Sequence, residues 1–268
     1  PKWISPWGDD SVRKILSRLG PGVLGGAAFQ INVLATYCIG FFVGGHVVAS
    51  YGYAVRLLEL PQGLFGVSLA AFLLPALSSL KAKNKHDEFK ATLVEGLWHV
   101  IYINALMMCI LMVLAEPMVR LLFEQGKFTA DSTRHVSYAL KCLAPALVFY
   151  SISGIMIRAF NARGDVKTPM KISLLCLVLN LGLVAVLIFT DFFPPDQKQG
   201  AFGIANSLTA CVTVILLGLA FERRWGRLDL GGVPGRRSAL AVLLGVAALT
   251  QSGATVLLWL SLGSGLGV

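Results

Sequence analysis

The chain has 268 residues, of which 56% are hydrophobic and 14% are charged, and its mean hydropathy is +0.72. A soluble domain carries about 25% charged residues, so this composition excludes an ordinary water-soluble globular protein. The formal net charge of +9 would suit nucleic acid, but the basic residues lie in short segments between long apolar runs, and we expect no nucleic-acid partner.

The first 20 residues are predicted to form a cytoplasmic loop and a short interfacial helix. From Val12 onward, apolar residues recur at helical spacing, while Arg13 and Arg18 take the opposite face. This pattern is typical of an amphipathic helix that lies on a membrane surface. Gly20 and Pro21 are then predicted to open the first membrane span.

Seven apolar runs follow, each near or above the roughly 20 residues that cross the hydrocarbon core of a bilayer. Only the fourth contains a charged residue inside it, Lys141. Transmembrane strands are short and alternate polar with apolar residues, so the runs predict helices and an all-α polytopic membrane bundle of about seven spans. The runs cover residues 21–55, 60–80, 96–115, 134–158, 172–190, 199–221 and 238–268.

The basic residues predict an orientation for this bundle. The segment before the first run and the segments after the second, fourth and sixth runs hold 17 of the 23 lysines and arginines. Because lysine and arginine are retained in the cytoplasm, these segments are predicted to be inside and the odd-numbered spans to run outward.

No catalytic machinery is visible in the sequence. It contains neither a P-loop nor the HExxH and GxSxG motifs, and its histidines and cysteines lack metal-ligand spacing. We therefore predict neither an enzyme nor a metal or cofactor site.

Ionisable side chains within the apolar runs are the candidate functional residues, because charge at membrane depth is costly unless it faces a cavity or a partner. Arg56 and Glu59 stand three residues apart at the outer end of the second span, on one helical face. The alternative for them is a mutual ion pair at the interface. Lys141 lies about two turns into the fourth span, and its alternative is snorkelling to the outer headgroups.

Four stretches of the chain resemble the MurJ (MviN) family of lipid II flippases. The longest is YAVRLLELPQGLFGVSLAAFLLPALS at residues 53–78. The others are Leu19-Gly20-Pro21, LLFEQGKFT at residues 121–129 and RAFNARGDVKTP at residues 158–169. Loops as well as apolar runs take part, in the family's order and spacing.

The resemblance implies a bacterial cytoplasmic-membrane transporter of the MOP superfamily that carries lipid II from the inner to the outer leaflet. It implies two six-helix lobes and two further helices. Residues 21–225 would be the C-terminal lobe, and residues 226–268 a loop and one further helix. The N-terminal lobe and the last helix are expected to be absent from this chain, which begins with Pro1 rather than methionine.

The same resemblance assigns roles to individual residues. Arg56 matches the family's cavity arginine, a cation for the pyrophosphate of the substrate, and Glu59 matches an acidic position beside it. Some members bind sodium between the first, fifth and sixth helices of this lobe. Asn180 stands at a suitable place, but no acidic residue accompanies it in those three runs, so coupling to sodium by this route is not expected and coupling to another ion or to the membrane potential stays open.

Two other functions remain as alternatives. A multidrug or organic-cation antiporter of the same superfamily would be expected to carry acidic residues in its cavity. A membrane enzyme acting on a polyprenyl lipid would need several aspartates near the cytoplasmic interface, where this chain offers Asp165 alone.

Overall fold

The computed structural model describes the backbone of residues 10–190, 193–194 and 197–228. Within those ranges all regular structure is helical, which confirms the predicted all-α class. The helices are α1 (Asp10–Val43), α2 (Gly45–Pro61), a π-helical segment (Gln62–Val67), α3 (Ser68–Ala82), α4 (His86–Val113), α5 (Ala115–Phe123), α6 (Ala130–Leu143), α7 (Ala146–Ala162), α8 (Lys167–Phe189) and α9 (Gln199–Trp225).

Four helices of the described part are long and apolar enough to cross a membrane: Gly45–Ala82, His86–Val113, Lys167–Phe189 and Gln199–Trp225. The pair α6 and α7, bent by 44°, adds a fifth span if it is counted as one. These five correspond to the second to sixth predicted runs. The seventh run, residues 238–268, lies outside the described residues.

The first predicted run is divided between two helices. α1 ends at Val43, and α2 begins at Gly45 after a break at Gly44. The sequence predicts a run to residue 55 because Arg56 is the first charge after Pro21, but the backbone breaks earlier, at the uncharged pair Gly44 and Gly45. α1 also runs without interruption through Gly20 and Pro21, so the predicted interfacial helix is the beginning of α1 and not a separate element.

The second predicted span is part of a longer helix with an irregular turn. α2, the π-helical segment and α3 together form one helix of 38 residues, Gly45–Ala82. Pro61, which lacks a backbone N–H, immediately precedes the π-helical segment. Gly66 in that segment packs against Ser151 of α7, where an added Cβ would lie 2.7 Å from the serine Oγ.

The bend between α6 and α7 packs against a face of small residues on α9. Pro145 follows the bend and cannot donate a backbone hydrogen bond. The hydroxyl of Ser207 donates to the carbonyl oxygen of Cys142 at 3.0 Å. Gly203, one turn earlier on α9, lies directly against the Cys142 and Leu143 backbone. The side chain of a neighbouring helix thus satisfies a carbonyl at the bend, as membrane helices require.

A buried amide connects three helices in the core. Asn206 of α9 donates to the hydroxyl of Tyr51 on α2 at 3.0 Å and to its own helix at the Phe202 carbonyl at 2.8 Å. The hydroxyl of Tyr150 on α7 donates to the Asn206 oxygen at 3.1 Å. Asn206 is 6% exposed, so these bonds are made where water does not compete.

The loops predicted to be cytoplasmic meet at one end of the bundle. α7 ends in a Schellman turn, in which Gly164 has φ +82° and Asp165 N–H donates to the Phe160 carbonyl at 3.0 Å. Arg163 in this turn lies over the rings of Phe89 and Trp225, at 4.2 and 4.9 Å from their centroids. These contacts join the start of α4, the end of α7 and the end of α9.

Candidate functional site

Arg56 and Glu59 lie on the exposed face of α2. The opposite face of this helix is buried in the lobe, and both charged side chains are exposed. α2 begins at Gly45, so Arg56 stands about 16 Å along the helix axis from its first residue. Both residues therefore lie about three turns inside α2. The sequence places them at the end of a span instead, because the second predicted apolar run begins only at residue 60.

Tyr53 forms an aromatic platform beside the arginine. The Arg56 guanidinium carbon lies 5.7 Å from the centroid of the Tyr53 ring, a cation–π contact. Tyr53 in turn packs against Phe123 and Phe128 at 4.8 and 5.4 Å between centroids. The outer-loop motif at residues 121–129 thus supports the helix that carries Arg56. Periodicity did not reveal this contact, because the partners are about 70 residues apart.

No ion pair joins Arg56 to Glu59 within the described part of the chain. The mutual ion pair that the sequence allowed is therefore not formed. Neither of the two described cavities includes Arg56, whose side chain lies on the exposed side of α2. The planar fork of N–H donors is left available to an anionic ligand or to a further part of the protein on that side.

Lys141 lies in the last turn of α6, immediately before the bend. It is exposed, and none of the hydrogen bonds or ion pairs of the described residues includes it. A free lysine at this position is compatible with snorkelling to the headgroups. Nothing in the described contacts brings it to Arg56, and its role in substrate binding stays a prediction.

Asn180 is buried in α8 at the junction with α1 and α9. Its oxygen accepts from the Asn32 amide of α1 at 2.9 Å, and its own amide donates to the Thr209 hydroxyl of α9 at 3.2 Å. The first, fifth and sixth helices of the lobe therefore meet here, as the resemblance implied. Sequence reasoning did not identify Asn32 and Thr209, whose polar side chains in apolar runs were the available signal.

The Asn180 cluster fits a polar cross-link better than a cation site. The oxygen of Asn180 already accepts a hydrogen bond, and no group of three His, Cys, Asp or Glu side chains among the described residues could hold a metal ion. A hard cation is bound mainly by several oxygen ligands with carboxylates among them, a set that the three neutral side chains do not supply. Ion binding by Asn180 stays a prediction.

The outer loop carries a second charged cluster. The Thr133 hydroxyl donates to Glu124 at 2.7 Å, and Arg120 forms an ion pair with the same carboxylate at 3.3 Å. The hydrogen bond from Thr133, with the smaller effect of Arg120, holds the pKa of Glu124 below its usual range. The cluster joins the end of α5, the following loop and α6, and this region places Phe123 and Phe128 against Tyr53.

Comparison with known proteins shows which family this architecture belongs to. The family model described as "Lipid II flippase MurJ" matches residues 1–264. A probable lipid II flippase MurJ of Vibrio cholerae is 32% identical over 217 residues, which are 81% of this chain and 40% of that protein. The chain thus spans about 40% of the length of the curated relatives it matches.

The fold is shared with solved structures of other proteins. The inward closed conformation of lipid II flippase MurJ aligns with a TM-score of 0.57 and 22% identity, covering 77% of this chain and 46% of that one. A MOP superfamily transporter from Pyrococcus furiosus aligns with a TM-score of 0.67 and 14% identity, covering 90% and 53%. The helical fold is that of these membrane transporters, and the match of the family model to residues 1–264 shows that the chain belongs to the MurJ lipid II flippase family.

Proposed function

We propose that this chain is the C-terminal lobe, residues 21–225, of a transporter that flips lipid II from the cytoplasmic to the outer leaflet of the bacterial cytoplasmic membrane. The family match and the name of the Vibrio cholerae relative support the activity and the substrate. An N-terminal lobe of the same protein would be its partner, and alternating access of the two lobes would move the substrate. The reaction is transport in a peptidoglycan pathway and involves no covalent catalysis or cofactor.

The observation that carries this proposal is the free guanidinium of Arg56. It lies on the exposed face of a long apolar helix, beside Glu59 but not paired with it. A pyrophosphate offers several anionic oxygens, and a guanidinium binds two of them at once through parallel N–H bonds. In our proposal Arg56 binds the pyrophosphate of lipid II, and Glu59 orients the guanidinium once the N-terminal lobe encloses the site.

The energy source for the proposed transport is the membrane potential or an ion gradient. The neutral cluster at Asn180 gives little support to sodium as the coupling ion, because it contains no carboxylate. Lys141, exposed at the bend between α6 and α7, is a secondary candidate for contact with the substrate.

The test is substitution of Arg56 in the full-length protein. Arg56→Ala should lower lipid II translocation at least about tenfold, because truncating one partner of a desolvated charge pair costs about 2–5 kcal/mol. Arg56→Lys should restore part of the activity, since it keeps the charge and loses the fork. Arg134→Ala removes an exposed arginine from α6, also on the predicted outer side, and is the matched control.

Translocation is measured as lipid II exposed on the outer leaflet, with growth of a depletion strain as a second readout. Equal membrane levels of all variants must be shown by immunoblot. Normal flipping by Arg56→Ala would overturn the role of this residue. Transport of organic cations in place of lipid II would instead favour the antiporter function.

A further inference from the structure

A groove between α8 and α9 opens at the end of the bundle where the predicted cytoplasmic loops meet. Its volume is about 600 Å³. Four basic side chains line its rim: Lys167 and Lys171 from the first turns of α8, and Arg223 and Arg224 from the last turn of α9. The two lysines are four residues apart and therefore share one helical face.

The groove keeps a net positive charge after its internal pairing. Asp165 is the one acidic residue among the described residues that line it. Both of its oxygens are occupied, since one accepts from Thr168 N–H at 3.1 Å and the other pairs with Arg224. Among the described residues, Lys167, Lys171 and Arg223 have no acidic partner.

Apolar side chains continue the groove towards the middle of the bilayer. Leu175, two turns beyond Lys167, is 50% exposed, and Leu219, one turn before Arg223, is 47% exposed. The groove thus presents cations at one end and exposed hydrocarbon below them. A ligand that matches both parts has an anionic headgroup and an acyl chain.

We propose that this groove binds an anionic phospholipid of the cytoplasmic leaflet, with its phosphate among Lys167, Lys171 and Arg223 and one acyl chain along Leu175 and Leu219. Basic pockets between membrane helices on the cytoplasmic side are suited to such headgroups. The positive-inside distribution of the loops gives the leaflet. The site does not involve Arg56 and does not depend on the proposed flippase activity.

The test is native mass spectrometry of the full-length protein titrated with phosphatidylglycerol or phosphatidylcholine. The wild type should retain one phosphatidylglycerol more tightly than phosphatidylcholine. The double substitution Lys167→Ser and Lys171→Ser should weaken that binding about tenfold or more, the expected effect of two basic residues at a membrane surface. The matched control, Lys81→Ser with Lys83→Ser, removes the same charge from an exposed site at the end of α3 and should leave it unchanged.

A second measurement locates the lipid. Phosphatidylglycerol with a photoreactive acyl chain should label peptides of α8 and α9, and Leu219→Trp, which fills the apolar part, should reduce labelling. Equal weakening by both double variants would mean a general charge effect and would overturn the proposal. Labelling confined to other helices, unchanged phosphatidylglycerol binding by the variant with Lys167→Ser and Lys171→Ser, or equal competition by soluble glycerol phosphate would also overturn it.

Discussion

Replacing Gly203 by alanine tests whether the bend between α6 and α7 is fixed by close approach of α9. A Cβ at Gly203 would lie 2.8 Å from the Cys142 Cβ and 3.0 Å from the Cys142 carbonyl carbon and the Leu143 nitrogen. Carbon atoms prefer about 3.5–4.0 Å, and two of these neighbours are backbone atoms that cannot rotate away. Gly203→Ala should therefore push α9 from the bend.

The steric cost of the methyl group added at Gly203 can be separated from the gain in helix propensity with a control in the same helix. Overpacking costs about 1–3 kcal/mol, whereas glycine to alanine in a helix interior gains about 1 kcal/mol. Gly218→Ala, where a Cβ would meet nothing within 4 Å, should show the gain alone. The two variants should therefore differ in unfolding free energy by about 1–3 kcal/mol, with Gly203→Ala the less stable.

The assay is thermal unfolding of the full-length protein in detergent, followed by tryptophan fluorescence. A difference of 1 kcal/mol corresponds to roughly 2–4 °C in Tm for a unit of about 150–250 residues, the size of this lobe, if the lobe unfolds as one unit. Equal melting temperatures for Gly203→Ala and Gly218→Ala would refute the reasoning, because they would show that the bend yields to a methyl group without cost.

Three further predictions concern buried or paired polar groups. Asn180→Leu should cost about 1–3 kcal/mol by leaving its partners on α1 and α9 unsatisfied; the wild-type Tm should be the same in sodium and choline chloride, and a sodium-specific rise would instead establish an ion site. Arg163→Lys should lower Tm by the equivalent of about 1 kcal/mol, because an ammonium cannot stack on several rings as a guanidinium does. Arg227→Lys, at an exposed position, is the control. A Tm of Arg163→Lys no lower than that of the control would contradict the aromatic contacts. Thr133→Val should raise the pKa of Glu124, measured by carbon NMR of labelled glutamate, and an unchanged titration would count against the hydrogen bond. A carboxyl whose pKa is lower in the folded state stabilises the fold above its unfolded-state pKa, and this stability is lost as the pH falls through its folded-state pKa. The stability of the variant should therefore be less sensitive to acid.

Most of the fold was predictable from the sequence, because lipid leaves few solutions for a long apolar run. Five of the six predicted runs within the described residues have a helix or a bent helix pair at the expected place. The prediction misses the break at Gly44 because charged residues mark the ends of membrane spans and not the ends of helices, and a glycine pair can end a helix inside an uncharged run. The early start of α4 at His86 has the same origin, since its first turns carry Asp87 and Glu88 and still bury Phe89.

The candidate site was predictable in part. Arg56 and Glu59 were identified because charges in apolar runs are rare, and the structure gives them an exposed face of α2. The contacts of Asn180 and Asn206 were not predictable, since their partners lie 148 and 155 residues away along the chain. The residue pattern of one chain carries no signal for such distant pairs.

The π-helical segment at Gln62–Val67 has a consequence for the length of this helix. One additional residue in a turn rotates everything beyond it by about 100° relative to an unbroken α-helix. Without that rotation, Leu73 and Leu77 would point about 100° away from the direction of Ala54 and Leu58, yet all four are buried in the lobe. The π-helical segment therefore turns the buried face of α3 to the same side as the buried face of α2. Substitutions in this segment should be tolerated more readily than the insertion or deletion of a residue, which would turn one buried face out of the lobe.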